Sequence, residues 1–210
     1  MTIKGIICDF GNVLVLNQEQ PAHQKWIKRL NMDYRSIMRT IFGSEAAARA
    51  SIGLISEEEF WKIMQKQLGL SEQEGIDLSR DIFGDERINT ELTGLITSLP
   101  KSFKKAILSN AFSGARQAFT GIFHLDELFD LIVISAEEGV AKPDDEIYLR
   151  TAERLKLDPW ELLFVDDMLE NAQAAAKVGM AAIHFKSPES ANREITTLLR
   201  SQGVVFSTAS

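Results

Sequence analysis

Five short stretches of the chain are rich in apolar residues and only a few residues long: 3–8, 104–108, 131–135, 162–165 and 181–185. Most are continuously apolar, as strands buried on both faces of a parallel sheet are. Between them the apolar positions recur at helical spacing. Ile147, Tyr148, Thr151, Ala152 and Leu155 follow Pro143. Ala172, Ala175 and Ala176 precede a helix stop at Gly179, and Ile195, Leu198 and Leu199 precede Gly203. Strand alternating with helix predicts a doubly wound α/β fold with right-handed crossovers.

The interval from about residue 17 to residue 99 breaks this alternation and reads as helices only. Tyr34, Ile37, Met38, Ile41 and Phe42 form one stripe. Ser56 with Glu59 and Ser71 with Glu74 have the spacing of capping boxes, and Gly84 is a stop after Phe83. Ile88, Leu92, Leu95, Ile96 and Leu99 predict a further helix ended by Pro100. These helices are too many for one crossover. The expected organisation is a core of residues 1–16 and 88–210 carrying an inserted helical cap, residues 17–87, that leaves the core soon after Asp9.

Composition narrows the class. At 210 residues, with 45% hydrophobic and 25% charged residues, the chain has the balance of a soluble globular protein of one domain with an insertion. The net charge of -7 argues against nucleic acid or an anionic membrane surface as partner, because both need clustered Lys and Arg. The single cysteine, Cys8, excludes a disulfide framework and reads as a small buried hydrophobe. No apolar run is long enough to span a bilayer and no signal peptide is recognised, so the expected compartment is the cytoplasm. Oligomeric state is not legible. His23, His124 and His184 are scattered without zinc-ligand spacing. Trp26, Trp61 and Trp160 fall in or beside helical patterns and are expected in packing.

The chemistry sits where the strands end. Asp9 closes the first apolar run, and an ionised carboxylate there needs a cation or donors to meet it. Ser109 and Asn110 follow the second run, at the start of a helix whose N–H groups suit an anion. Lys142 precedes Pro143 in the loop after the third run, and Asp166 and Asp167 end the fourth. Two adjacent carboxylates repel unless a hard cation lies between them and Asp9. Singly, each is an ordinary surface or loop signal. Together, all four fall past predicted strands on one edge of one sheet, where open α/β folds bind ligands.

The order CDFGNVL, ILSN, GVAKPDDEIY and LFVDDMLENA resembles the haloacid dehalogenase (HAD) superfamily, and the likeness covers the whole core. It implies a three-layer α/β/α Rossmann-like core with strand order 5-4-1-2-3 and a helical cap inserted after the first motif. It also implies Mg²⁺-dependent phosphoryl transfer through an aspartyl-phosphate, with a small phosphorylated metabolite as partner. Carried over by resemblance, Asp9 is the nucleophile and a metal ligand, and Gly11 offers its carbonyl to Mg²⁺. Ser109 and Asn110 bind phosphoryl oxygens. Lys142 balances charge. Asp166 and Asp167 hold the metal, with Asp167 favoured as the direct ligand.

One position departs from the pattern. Most phosphatases of the superfamily carry a second Asp two residues after the nucleophile as general acid–base, and here that position is Gly11. Three consequences are open: a substrate with a good leaving group such as a sugar 1-phosphate, a proton donor from the cap with His23 the nearest candidate, or slow or absent turnover. The first expectation is a hydrolase of small phosphate monoesters. The alternatives are a metal-independent 2-haloacid dehalogenase, in which Asp166 and Asp167 lack a task, and a non-catalytic phosphometabolite- or protein-binding member. Substrate contacts are expected from the cap, around His23, Arg29 and the loop at Ile52 and Gly53. The string Asp-Phe-Gly also occurs in kinases, but here no glycine-rich phosphate loop precedes it.

Overall fold

The opening apolar run becomes β1 (Gly5–Cys8), every residue of it buried, in a computed structural model that describes residues 2–17, 21–84 and 86–207. After Asp9 the chain turns tightly, with the Val13, Leu14 and Val15 amides all donating to the Phe10 carbonyl. It then forms the short strand β2 (Val15–Asn17). Five helices follow: α1 (Pro21–Leu30), α2 (Tyr34–Phe42), α3 (Glu45–Ser51), α4 (Glu57–Gln67) and α5 (Glu72–Phe83). The chain returns along β3 (Glu86–Ile88), antiparallel to β2. From there strand and helix alternate: α6 (Thr90–Thr97), β4 (Lys104–Ser109), the short α7 (Ala115–Gln117), β5 (Leu131–Ile134), α8 (Ser135–Glu138) and α9 (Asp145–Leu155). The core finishes with β6 (Leu162–Asp166), α10 (Leu169–Lys177), β7 (Ala181–His184) and α11 (Pro188–Ser201).

The main sheet runs β5-β4-β1-β6-β7 with every neighbouring pair parallel. Numbering only these five strands in chain order, the sequence of strands from the β7 edge is 5-4-1-2-3, the expected order. Alternate residues of β1 face opposite layers, as the two-residue period of a strand requires. Ile6 and Cys8 pack with Leu92, Ile96, Ile195 and Leu199 of α6 and α11. Ile7 packs on the other side with Ile147, Tyr148 and Ala175 of α9 and α10. The Cys8 thiol is fully buried, and that burial pushes its pKa up, so it is inert packing.

Helices α1 to α5 share an apolar cluster of their own, centred on Trp26, Ile37, Ile41, Phe60, Met64, Leu78 and Ile82. Local chemistry sets their ends. Asp33, Ser44 and Ser56 accept from amides three residues on, and Ser71 with Glu74 forms a complete capping box at α5. Among the described residues, no helix is long and apolar enough to cross a membrane.

Three expectations need correction. Ile88 belongs to β3 and not to the helix after it. Asn89 interrupts that helix, since its side chain accepts from the Leu92 amide and so fixes the start of α6 at Thr90. The β2–β3 ribbon was not legible, because two three-residue strands so far apart in sequence leave no periodic signal. Ser135 starts α8 and does not extend the strand before it.

Candidate active site

The parallel register aligns Cys8 of β1 with Ile107 of β4 and Val165 of β6. One residue further on, the three strands reach Asp9, Leu108 and Asp166, so their ends open on a common edge. Ser109 ends β4 and is buried there. Lys142 reaches the same edge from the loop between α8 and α9. Its Nζ lies 2.7 Å from Asp9 Oδ1 and 2.7 Å from Asp166 Oδ2. It also donates to the Leu108 carbonyl at 2.9 Å. The ammonium thus spends its three donors on two carboxylates and one strand-end carbonyl, with its side chain 1% exposed.

Each carboxylate has a distinct set of partners. Asp9 Oδ1 also accepts from the Phe10 amide at 2.8 Å. Asp166 is fully buried. Its Oδ1 accepts from the Met168 amide (2.8 Å) and from Asn171 Nδ2 (3.0 Å), which also lies 3.2 Å from Oδ2. Asp167 is less buried and accepts from Asn12 Nδ2 at 3.0 Å on Oδ2. Behind these groups the Tyr148 hydroxyl donates to the Asn171 carbonyl, and the His184 Nε2 lies 3.0 Å from the Asp167 carbonyl.

Electrostatics define what is missing from the protein's own groups. Burial pushes the Asp9 carboxyl up to about 7, Lys142 pulls against that shift and Asp166 adds to it. Burial and Asp166 likewise raise Asp167, against the Asn12 hydrogen bond. Burial works against the Lys142 charge, but Asp9 and Asp166 outweigh it and keep the ammonium protonated. Asp9, Asp166 and Asp167 each offer an oxygen within 4.8 Å of the others. With only Lys142 to offset them, the ionised cluster carries two uncompensated negative charges. An all-oxygen donor set with that deficit fits a hard divalent cation and does not fit a soft one.

The expected residues Asp9, Ser109, Lys142, Asp166 and Asp167 therefore converge, and Gly11 lies in the turn beside them, bridged to Val15. Asn110 lies beside Lys142. Its Oδ1 accepts from the Lys142 amide at 2.9 Å and its Nδ2 donates to the Lys142 carbonyl at 2.8 Å. Both ends of its side-chain amide thus hold the backbone of the lysine loop. Arg29 is also committed elsewhere, to the Glu74 carboxylate and the Gly69 carbonyl. His23 is buried with its ring stacked 4.0 Å from that of Tyr34, and Trp26 donates to Asp81 inside the helical unit.

Asn12, Asn171 and Tyr148 were missed. Asn171 had a faint signal, a polar residue on the helix face that Ala172 and Ala175 mark as buried.

A parallel α/β sheet whose strand ends gather three carboxylates, two of them paired with one buried lysine, places a candidate ligand site at the carboxyl edge of the sheet. The family model for haloacid dehalogenase-like hydrolases matches residues 3–179, and the chain belongs to that family. It is similar to a sesquiterpene phosphatase from Aspergillus oryzae, 29% identical over 88% of this chain and 90% of the relative. It spans less than half the length of several other curated relatives. Among solved structures, a HAD-like family hydrolase from Porphyromonas gingivalis matches with a TM-score of 0.76 and 25% identity, over 95% of this chain and 99% of that one. A HAD family enzyme from Bacteroides thetaiotaomicron in complex with magnesium and inorganic phosphate shares the fold at a TM-score of 0.71 and 22% identity, over 88% and 94%.

Proposed function

We propose that this hydrolase is a Mg²⁺-dependent phosphatase of small phosphate monoesters, working in the cytoplasm through an aspartyl-phosphate on Asp9. The observation that carries the reading is the Lys142 ammonium bridging Asp9 and Asp166 beside a third carboxylate, Asp167. A carboxylate and a phosphate dianion repel each other, so this chemistry needs concentrated positive charge at the point of attack. The sesquiterpene phosphatase and the magnesium–phosphate complex among the similar proteins support the same reading.

Asp9, Asp167 and the Gly11 carbonyl would hold the metal. Asp166 has its oxygens engaged by Lys142, Met168 and Asn171 and so serves to orient. Mg²⁺, when bound, neutralises negative charge and polarises the phosphoryl group. Asp9 forms the new bond to phosphorus as the ester P–O bond breaks. Lys142 stabilises the charge on both partners, and Ser109 binds a phosphoryl oxygen. Water then attacks phosphorus and restores the Asp9 carboxylate. The helical unit, residues 17–87, acts as a cap over the core, residues 1–16 and 88–210.

Gly11 gives no proton to the departing oxygen. This favours esters with good leaving groups, of which an anomeric sugar phosphate is the model case. The test is phosphate release from a panel of sugar phosphates and other small esters with Mg²⁺, with EDTA and Asp9→Asn as controls. Turnover that needs both the metal and Asp9 supports the reading. Activity that survives EDTA, or a protein that binds Mg²⁺ and turns over nothing, overturns it.

A further inference from the structure

The segment that follows Ser109 belongs to both parts of the molecule. Its first residues are tied to the core. Asn110 brackets the Lys142 backbone with two hydrogen bonds, and the Ala111 amide donates to Ser135 Oγ at 3.1 Å. The next residues are tied to the helical unit. Phe112 packs against the cluster of α1–α5, with ring centroids 4.5 Å from Phe60 and 6.2 Å from Phe42. The Gly114 amide donates to Glu57 Oε2 at 3.2 Å. A Cβ at Gly114 would lie 2.5 Å from that same oxygen, so a side chain there would push the Glu57 carboxylate aside. A second close approach lies alongside. Gly53 has φ +72°, and a Cβ there would lie 2.4 Å from the Ala136 carbonyl, one residue beyond Ser135.

Within five residues, then, the chain passes from the strand end at Ser109, through the clamp on Lys142, to a half-buried contact against the apolar cluster of the helical unit. We propose that Phe112 is a positioning residue. Its seating among Phe42 and Phe60 couples the docking of the helical unit to the placement of Ser109 and Lys142, so that these groups are in register only when the unit is docked. The coupling deepens the phosphatase reading and rests on it for its catalytic consequence, though not for the coupling itself. Its physical basis is that a packed aromatic side chain either fills its site or leaves it, while the two residues before it have no slack. Asn110 and Ala111 are each held by side-chain hydrogen bonds, so displacement of Phe112 is transmitted and not absorbed.

The test compares Phe112→Ala and Phe112→Leu with Leu78→Ala, a truncation in the same apolar cluster but on α5. Amide hydrogen exchange, read with Mg²⁺ present, follows Ala111 and Lys142, whose N–H groups are bonded within the coupled segment. Phe112→Ala should speed exchange at both amides by about tenfold or more, with Leu78→Ala near the wild type and Phe112→Leu between them. For p-nitrophenyl phosphate, kcat should fall by about 10-fold in Phe112→Ala and recover to within about threefold in Phe112→Leu, the scale of a sub-ångström misplacement of reacting groups. Equal exchange at Ala111 and Lys142 in wild type and Phe112→Ala, or an equal rise in Leu78→Ala, overturns the coupling. If Phe112→Ala does not fold, the Phe112→Leu and Leu78→Ala comparison decides in its place. If the wild type hydrolyses no phosphate ester, the phosphatase reading fails, and the exchange data alone decide the coupling.

Discussion

The Lys142 ammonium and the Asp166 carboxylate, 2.7 Å apart, form the most deeply buried ion pair among the described residues. Removing one partner of such a pair leaves a charge without compensation and typically costs about 3–5 kcal/mol. Lys142→Met should therefore destabilise the protein by that order, read as a lowered urea midpoint without Mg²⁺. It should also abolish turnover. The double variant Lys142→Met/Asp166→Asn should regain part of the stability and none of the activity. Equal stability of the single and double variants would show that the pair is not energetically coupled.

Asn171 holds both oxygens of Asp166, and its carbonyl accepts from the Tyr148 hydroxyl. Groups that orient metal-site carboxylates usually matter about 10–100-fold for metal affinity. Asn171→Ala should weaken Mg²⁺ binding by that factor in a calorimetric titration, while kcat at saturating Mg²⁺ falls less. Unchanged affinity would mean that Asp166 is adequately fixed by Lys142 and the Met168 amide.

Gly11 is the cleanest place to alter the chemistry. A Cβ built there meets no atom within 4 Å among the described residues, so a side chain can be added without displacing structure. Gly11→Asp would place a carboxyl group where a leaving oxygen can take its proton, an effect typically worth about 10²–10⁴-fold. The gain should be large for an alkyl phosphate and small for p-nitrophenyl phosphate, whose leaving group needs little protonation. The measured quantity is the ratio of the two rates, and an unchanged ratio would contradict the proposed reason for the residue.

The ribbon that joins the two parts contains a pH-sensitive group outside the site. Burial pushes the Glu86 carboxyl up to about 7 from the usual range near 4.5. The folded state thus binds this proton more tightly than the unfolded chain does. Its contribution to stability is complete below about pH 4.5 and is lost as pH rises towards 7. Glu86→Gln should raise the midpoint of thermal unfolding at pH 8, by about 1–3 kcal/mol in stability, and change little at pH 4.5. A gain of equal size at both pH values would place the effect in packing and not in ionisation.

The sequence showed most of the core because the central strands β1, β4 and β6 are largely buried and most of the candidate site groups sit where such a run stops. Asp9, Ser109, Asp166 and Asp167 are of that kind, while Lys142 comes from the loop after α8. What it did not show depends on pairing at long range. Val15 and Ile88 are partners across the helical unit, and neither lies in a run long enough to show a period. Ile88 misled because it stands four residues before Leu92, a helical spacing that the Asn89 cap breaks. Asn110 was visible as a polar group at a strand end, but only the fold reveals that its amide brackets the Lys142 backbone. Phe112 lies outside every periodic run, and its partners Phe42 and Phe60 come from the other part of the chain.

The most direct test is chemical trapping of the Asp9 intermediate. The protein is mixed with Mg²⁺ and a substrate from the phosphate panel, quenched in the steady state, reduced with borohydride and digested, and the peptide containing position 9 is weighed by mass spectrometry. The expected result is reduction at position 9 that depends on substrate, disappears with EDTA and is absent in Asp9→Asn. Sustained phosphate release with position 9 unmodified, or full turnover by Asp9→Asn, would contradict the assignment of Asp9 as the group that receives the phosphoryl.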